Sequence, residues 1–184
     1  MMSIFTQLLQ KTSTTKNIWI LFASSHLVLL TMMVFTFPLI NHQIETKAFD
    51  LQTFGYSVSV AESIVNNLNE QTTQLYLFPQ LFLLDLFYPI LLSLFLSSLL
   101  FRLANNKAKL SALVVIIPFI AMIFDYSENI CVTLMITKSI EVSEWFVFVS
   151  SSFTILKSMF TSIAWLAILT YTIKWIILSV KKRK

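Results

Sequence analysis

Three carboxylic acids, Asp85, Asp125 and Glu128, fall inside apolar runs long enough to cross a membrane. An ionised carboxylate in hydrocarbon costs about 3 kcal/mol on insertion scales, so it persists only where a partner, water or a proton offsets that cost. Such groups bind cations, relay protons or work as a general acid paired with a general base. Asp125, Glu128 and Asn129 stand at i, i+3 and i+4 and therefore project from one helical face. Two acids this close do not both ionise cheaply unless a cation such as Lys157 lies between them. In the preceding run, Pro89 lacks the amide hydrogen that would bond the Asp85 carbonyl, which predicts a kink and a free backbone acceptor at the acid. Tyr88 lies one turn from Asp85 and Tyr126 follows Asp125, offering phenol donors. Ser150, Thr154, Lys157, Ser158 and Thr161 form a polar stripe on the last run that can face the acids.

The elements that position these groups follow from composition. The chain has 184 residues, 57% hydrophobic and 12% charged, with a mean hydropathy of +0.78. That is too little polar surface for an ordinary soluble domain. Four runs reach the roughly 20 residues needed to span hydrocarbon: about 18–40, 76–101, 110–136 and 145–180. The expected fold is all-α, a single polytopic membrane domain over 1–184 built as a four-helix bundle. One glycine and one cysteine, Cys131, leave no Gly-rich phosphate loop, internal disulfide or thiolate zinc site. No i, i+3 Glu-His or i, i+4 His-His pair supports a metal, and neither a cofactor nor a nucleic-acid partner is expected.

Basic residues orient the bundle. With a cytoplasmic amino terminus, Lys11, Lys16, Arg102, Lys107, Lys109, Lys174 and the terminal Lys181 to Lys184 run fall inside, leaving only Lys47 and Lys138 in outer loops. Both termini are thus expected on the cytoplasmic side. The first run has too long an apolar core for a secretory signal and reads as an uncleaved helix. The closing Lys-Lys-Arg-Lys reads as a basic flank on the anionic face, or as an endoplasmic-reticulum retrieval signal in a eukaryotic host. A bacterial inner membrane is the favoured location and the endoplasmic reticulum the eukaryotic alternative.

Between the first two spans, Val58 to Glu70 places Val60, Ile64 and Leu68 at helical spacing, which predicts a short amphipathic helix in the first outer loop. A cap over the polar site and a passive surface helix are both open. At 1.5 Å per residue, Asp85, Glu128, Asp125 and Lys157 lie roughly 13, 12, 16 and 18 Å below the outer ends of their spans, in one layer. His26 lies deeper, at roughly 21 Å. Each helix thus brings an ionisable group to the outer half or midplane, although Lys157 can instead snorkel and His26 can be satisfied locally by a serine. Ser93, Ser97 and Ser98 read as close-packing positions in a chain nearly without glycine.

The pattern Phe54-Gly55-Tyr56, then Tyr76, Leu84-Asp85 with Pro89, Pro118 and Asp125-x-x-Glu128-Asn129 resembles a group of small, largely uncharacterised four-helix integral membrane proteins. That group carries Asp before Phe-Pro in its second helix, where this chain has Tyr88, and Asp-x-x-Glu-Asn in its third. The resemblance implies that Asp85, Pro89, Asp125, Glu128 and Asn129 belong to a common site. In layout alone the chain is similar to the emopamil-binding and sigma-2-receptor group.

Three functions fit these residues. The preferred one is a pocket for a small amphipathic or cationic molecule or lipid, in which Asp125 and Glu128 hold the cationic group and Asp85, Tyr88, Asn129, Lys157 and His26 complete the lining. Conversion of that molecule stays open, because no residue is recognisable as a nucleophile. The alternatives are a proton-coupled transporter or transporter subunit, for which four helices are few without self-association, and an assembly protein whose acids only fix packing.

Overall fold

The computed structural model describes residues 4–104 and 109–181. The terminal basic residues beyond Lys181, and Lys107, lie outside the described residues. All regular structure among those described is helical. A short helix α1 (Ile4–Thr12) precedes α2 (Thr15–Ile44). A connection carries a 3-10 turn (Phe49–Leu51) and α3 (Val58–Asn67). Next come α4 (Glu70–Leu103), α5 (Lys109–Ile136) and α6 (Glu144–Lys181). Four helices, α2, α4, α5 and α6, are long and apolar enough to cross a membrane.

Local chemistry sets the helix ends. The side chains of Thr14, Ser57 and Asn69 accept hydrogen bonds from the amides of Asn17, Val60 and Thr72, capping otherwise unpaired amino-terminal donors. Glu45 ends α2 in the left-handed region at φ 56°, and the Asn67 amide donates to the Ile44 carbonyl, so α3 is stitched to the end of α2. In α3, Ala61, Ile64 and Val65 are buried, a set that follows helical periodicity.

Two helices are irregular where they approach the polar residues. Met32–Thr36 in α2 and Tyr76–Leu84 in α4 are wound as wide π-type turns. The sequence reading places the break in α4 at Asp85, through Pro89. The structure differs: the non-helical residue is Phe78, at φ −142° and ψ 124°, because Pro79 disfavours the α region for the residue before it. Asp85 instead opens the regular stretch Asp85–Leu103, which runs through Pro89.

Helix α5 packs along α6 and α4, and α4 also packs along α2 and α6. Two apolar clusters result. One joins Met32, Phe37 and Ile40 of α2 to Phe49, Tyr56, Ile64, Tyr76, Val132, Met135 and Val147. The other joins Leu9 and Ile18 to Phe95, Leu96, Leu100, Val115, Ala164 and Ile168. Along α4 the order is Leu81, Asp85, Phe95; along α5, Val115, Asp125, Val132; along α6, Val147, Lys157, Ala164. The ionisable residues therefore occupy a layer between the clusters. Ser93, Ser97 and Ser98 are buried, and the Ser97 hydroxyl donates to the Val115 carbonyl at 2.8 Å, tying α4 to α5 through small residues.

The one glycine of the chain, Gly55, has a positive φ of 86°. An ideal Cβ there would lie 2.5 Å from the Ser151 hydroxyl. The next amide, of Tyr56, donates to that same hydroxyl at 2.9 Å. The glycine is needed both for its φ and for the close approach of the connection to α6.

Candidate functional site: an acid layer with one ammonium

Helices α5 and α6 build the first half of the site. Asp125 and Glu128 share a face of α5, and Thr154 and Lys157 lie one turn apart on the facing side of α6. Lys157 Nζ lies 2.9 Å from Asp125 Oδ1 and 2.5 Å from Glu128 Oε2, so the cation does sit between the two acids. The Thr154 hydroxyl donates to Glu128 Oε1 at 2.7 Å. Glu128 is fully buried, while the Asp125 and Lys157 side chains are 14% and 16% exposed. Each acid thus has the ammonium as a partner, and one cation serves both.

The second half comes from α4 and from the connection after α2. Asp85 is buried at the start of the regular stretch of α4. Its carboxyl lies within hydrogen-bonding reach of Asp50, a residue of the 3-10 turn. Tyr76, fully buried, accepts the Phe49 amide at 3.0 Å and donates its hydroxyl to Asp50 Oδ2 at 2.7 Å. Asp50 Oδ1 and Asp85 Oδ2 are both buried without a donor. With both acids ionised this half is incomplete, because a buried acceptor left unpaired costs about 1–3 kcal/mol and more when charged, whereas one proton held between the two carboxyls would pair them.

A cavity of about 280 Å³ joins the halves, lined by Asp50, Asp85, Tyr88, Asp125 and Lys157. Its remaining wall is mainly apolar, from Leu29, Met32 and Met33 of α2, Leu92 and Leu96 of α4, and Pro118 and Met122 of α5. Because α2 packs along α4 and not along α6, the side between α2 and α6 is the weakly closed one, where Met33 and Ser162 are exposed.

Of the residues the sequence groups into a pocket, Asp85, Tyr88, Asp125 and Lys157 line the cavity, whereas Glu128 is fully buried on Lys157 and outside the lining. His26 lies elsewhere. Its Nδ1 is 2.9 Å from the Phe22 carbonyl and 3.2 Å from the Ser25 hydroxyl, and its ring packs on Phe22 and Phe95; local partners satisfy it. Asn129 lines a separate groove with Tyr126, whose hydroxyl donates to the Leu86 carbonyl at 2.7 Å and not to an acid.

Two polar residues enter the region without a sequence signal. Asp50 belongs to a non-periodic stretch. Gln80 is fully buried, accepts the Thr36 hydroxyl at 2.5 Å through Oε1 and leaves Nε2 unpartnered.

The connection is fixed to α6 through Tyr56, whose hydroxyl pairs with that of Ser150 at 2.6 Å. Burial pushes this phenol well above its ordinary range, against the opposing hydrogen bond from Ser150. Among the described residues no three His, Cys, Asp or Glu side chains are grouped to hold a metal ion. Compared with known families, curated proteins and solved structures, the chain matches none.

Proposed function

We propose that this is an integral membrane protein, with both termini cytoplasmic, that binds the cationic group of a small amphipathic molecule or lipid in an acid-lined cavity in the outer half of the bilayer. The observation that carries this reading is charge imbalance: Asp50, Asp85, Asp125 and Glu128 surround a single ammonium, Lys157, which pairs with the last two. With Asp50 and Asp85 ionised, their buried oxygens lack donors, and a protonated amine supplies both charge and hydrogen bonds. The apolar wall of Met32, Met33, Leu92 and Leu96 suits the rest of an amphiphile.

Roles thus divide differently from the sequence reading. Asp125 and Glu128 hold Lys157, and Asp85 with Asp50 takes the ligand. A packing role for the buried acids is supported for the Lys157 triad alone, where each acid has the ammonium as a partner. The connection that carries Asp50 serves as the cap over the site.

Native mass spectrometry of the gently solubilised protein tests the proposal. The parent chain is expected to carry a basic small molecule or lipid, or to capture added dodecylamine, and a folded Asp85→Asn variant is expected to lose it. A parent chain that neither carries nor captures an amine overturns the reading.

A further inference from the structure

Asp85 also lines a second hollow. Between the Tyr76–Leu84 segment and α5 runs a groove of about 330 Å³, walled mainly by Leu81, Phe82, Leu86, Ile130 and Leu134. Phe82, Leu86 and Ile130 are exposed, so the groove opens outward from the bundle. Its size falls at the lower end of ligand pockets.

The polar groups at its base are mismatched. Asp85 Oδ2 and Asn129 Oδ1 are buried acceptors without a donor. The two hydroxyls in the groove are committed elsewhere: Tyr126 donates to the Leu86 carbonyl and Thr133 to the Asn129 carbonyl at 2.7 Å. Lys157 is held by Asp125 and Glu128. Neither hydroxyl of the groove satisfies these oxygens, and in an apolar surrounding buried acceptors demand donors. A fitting occupant has a donor-rich, positively charged head and one hydrocarbon chain.

We propose that this groove holds the alkyl chain of a single-chain primary amine, whose ammonium donates to Asp85 Oδ2 and Asn129 Oδ1. The proposal rests on the reading of the acid layer as a cation site and moves the hydrocarbon chain from the wall of Met32, Met33, Leu92 and Leu96 to the groove against α5, on the outer flank of α4. Asp85 is then reached from the bilayer, and selectivity for chain length resides in the groove and not in the central cavity.

Photolabelling of the full chain in lipid nanodiscs tests this, using dodecylamine with a terminal diazirine, the matching dodecanol probe, and a diazirine butylamine. Adducts of the long amine are expected on Leu81–Leu86 and Ile130–Leu134, at least tenfold above the alcohol. Ile130→Trp fills the groove without touching an acid; it is expected to lower those adducts at least tenfold while butylamine labelling of the central cavity persists. Asp85→Asn, if folded, should lower both. Long-amine adducts confined to Leu29–Met33, or unchanged in Ile130→Trp, overturn the groove and leave the cation site standing. Equal labelling by alcohol and amine, or none, overturns both. Crosslinks from Ile130 to a second copy of the chain, with no amine adduct in the groove, assign the groove to self-association and overturn this proposal alone.

Discussion

The Tyr76 hydroxyl donates to Asp50 at 2.7 Å, and this bond brings an acid from a loop into contact with an acid from a helix. The phenol also accepts the Phe49 amide, so one side chain positions the backbone and the carboxylate of the 3-10 turn together. Asp50 is then held over Asp85.

Replacing that phenol is therefore expected to cost more than one hydrogen bond. Tyr76→Phe strands Asp50 Oδ2 and the Phe49 amide in a buried place, for a loss of roughly 1–3 kcal/mol per group. Thermal unfolding in detergent should show lower stability, and amine capture should fall as Asp50 departs. Unchanged stability would mean that the turn is not held through Tyr76.

The Lys157 triad predicts a non-additive cycle. Lys157→Met leaves Asp125 and Glu128 without their cation, and breaking a buried pair from one side costs about 3–5 kcal/mol. Adding Asp125→Asn and Glu128→Gln to Lys157→Met should restore much of that stability. If the triple variant is no more stable than Lys157→Met in chemical or thermal denaturation, the pairing contributes little.

At Gly55 the expected outcome is a loosened connection. Any side chain meets the Ser151 hydroxyl, and a left-handed conformation costs a residue with a Cβ about 1–2 kcal/mol. Gly55→Ala should speed proteolysis within 45–69, and Ser151→Ala on that background should relieve the contact but not the backbone cost. Proteolysis at the parent rate would refute the close approach.

Alkaline pH should destabilise the fold in part through Tyr56. Its phenol is held above the ordinary value by burial, whereas an unfolded tyrosine ionises near about 10. Above that pH the unfolded chain binds fewer protons than the folded one at this site. Its contribution is therefore complete below about pH 10 and is lost as pH rises towards the folded value. Tyr56→Phe removes this slope while losing the Ser150 hydrogen bond, so the variant should start less stable and decline less steeply in unfolding midpoints measured from pH 9 to 11.

Much of this arrangement is legible in the sequence because helical rise and period are regular. Spacing alone puts Asp125 and Glu128 on one face, and depth counting puts Asp85 and Lys157 beside them while placing His26 deeper. Whether Lys157 snorkels or pairs is not a periodic property; the packing of α5 on α6 brings Nζ to both acids. Asp50 is invisible to the same reasoning, since its position depends on how a non-helical turn folds back through Tyr76 and Tyr56. The break at Phe78 illustrates competition between two prolines. Pro89 sits within the regular stretch Asp85–Leu103, and Pro79 marks the point where the backbone leaves helical angles.

The two apolar clusters that bracket the acid layer insulate it. A hydrated ion leaving the layer along the bundle axis meets Phe37, Ile40 and Val132 in one direction and Phe95, Leu96 and Val115 in the other, packed hydrocarbon that does not solvate charge. Sideways the walls are thinner, with Met33 and Ile130 exposed at the flanks. The charged layer is thus closed by packed hydrocarbon along the bundle axis yet thinly walled at the side, so a charged molecule reaches it most easily from the flank.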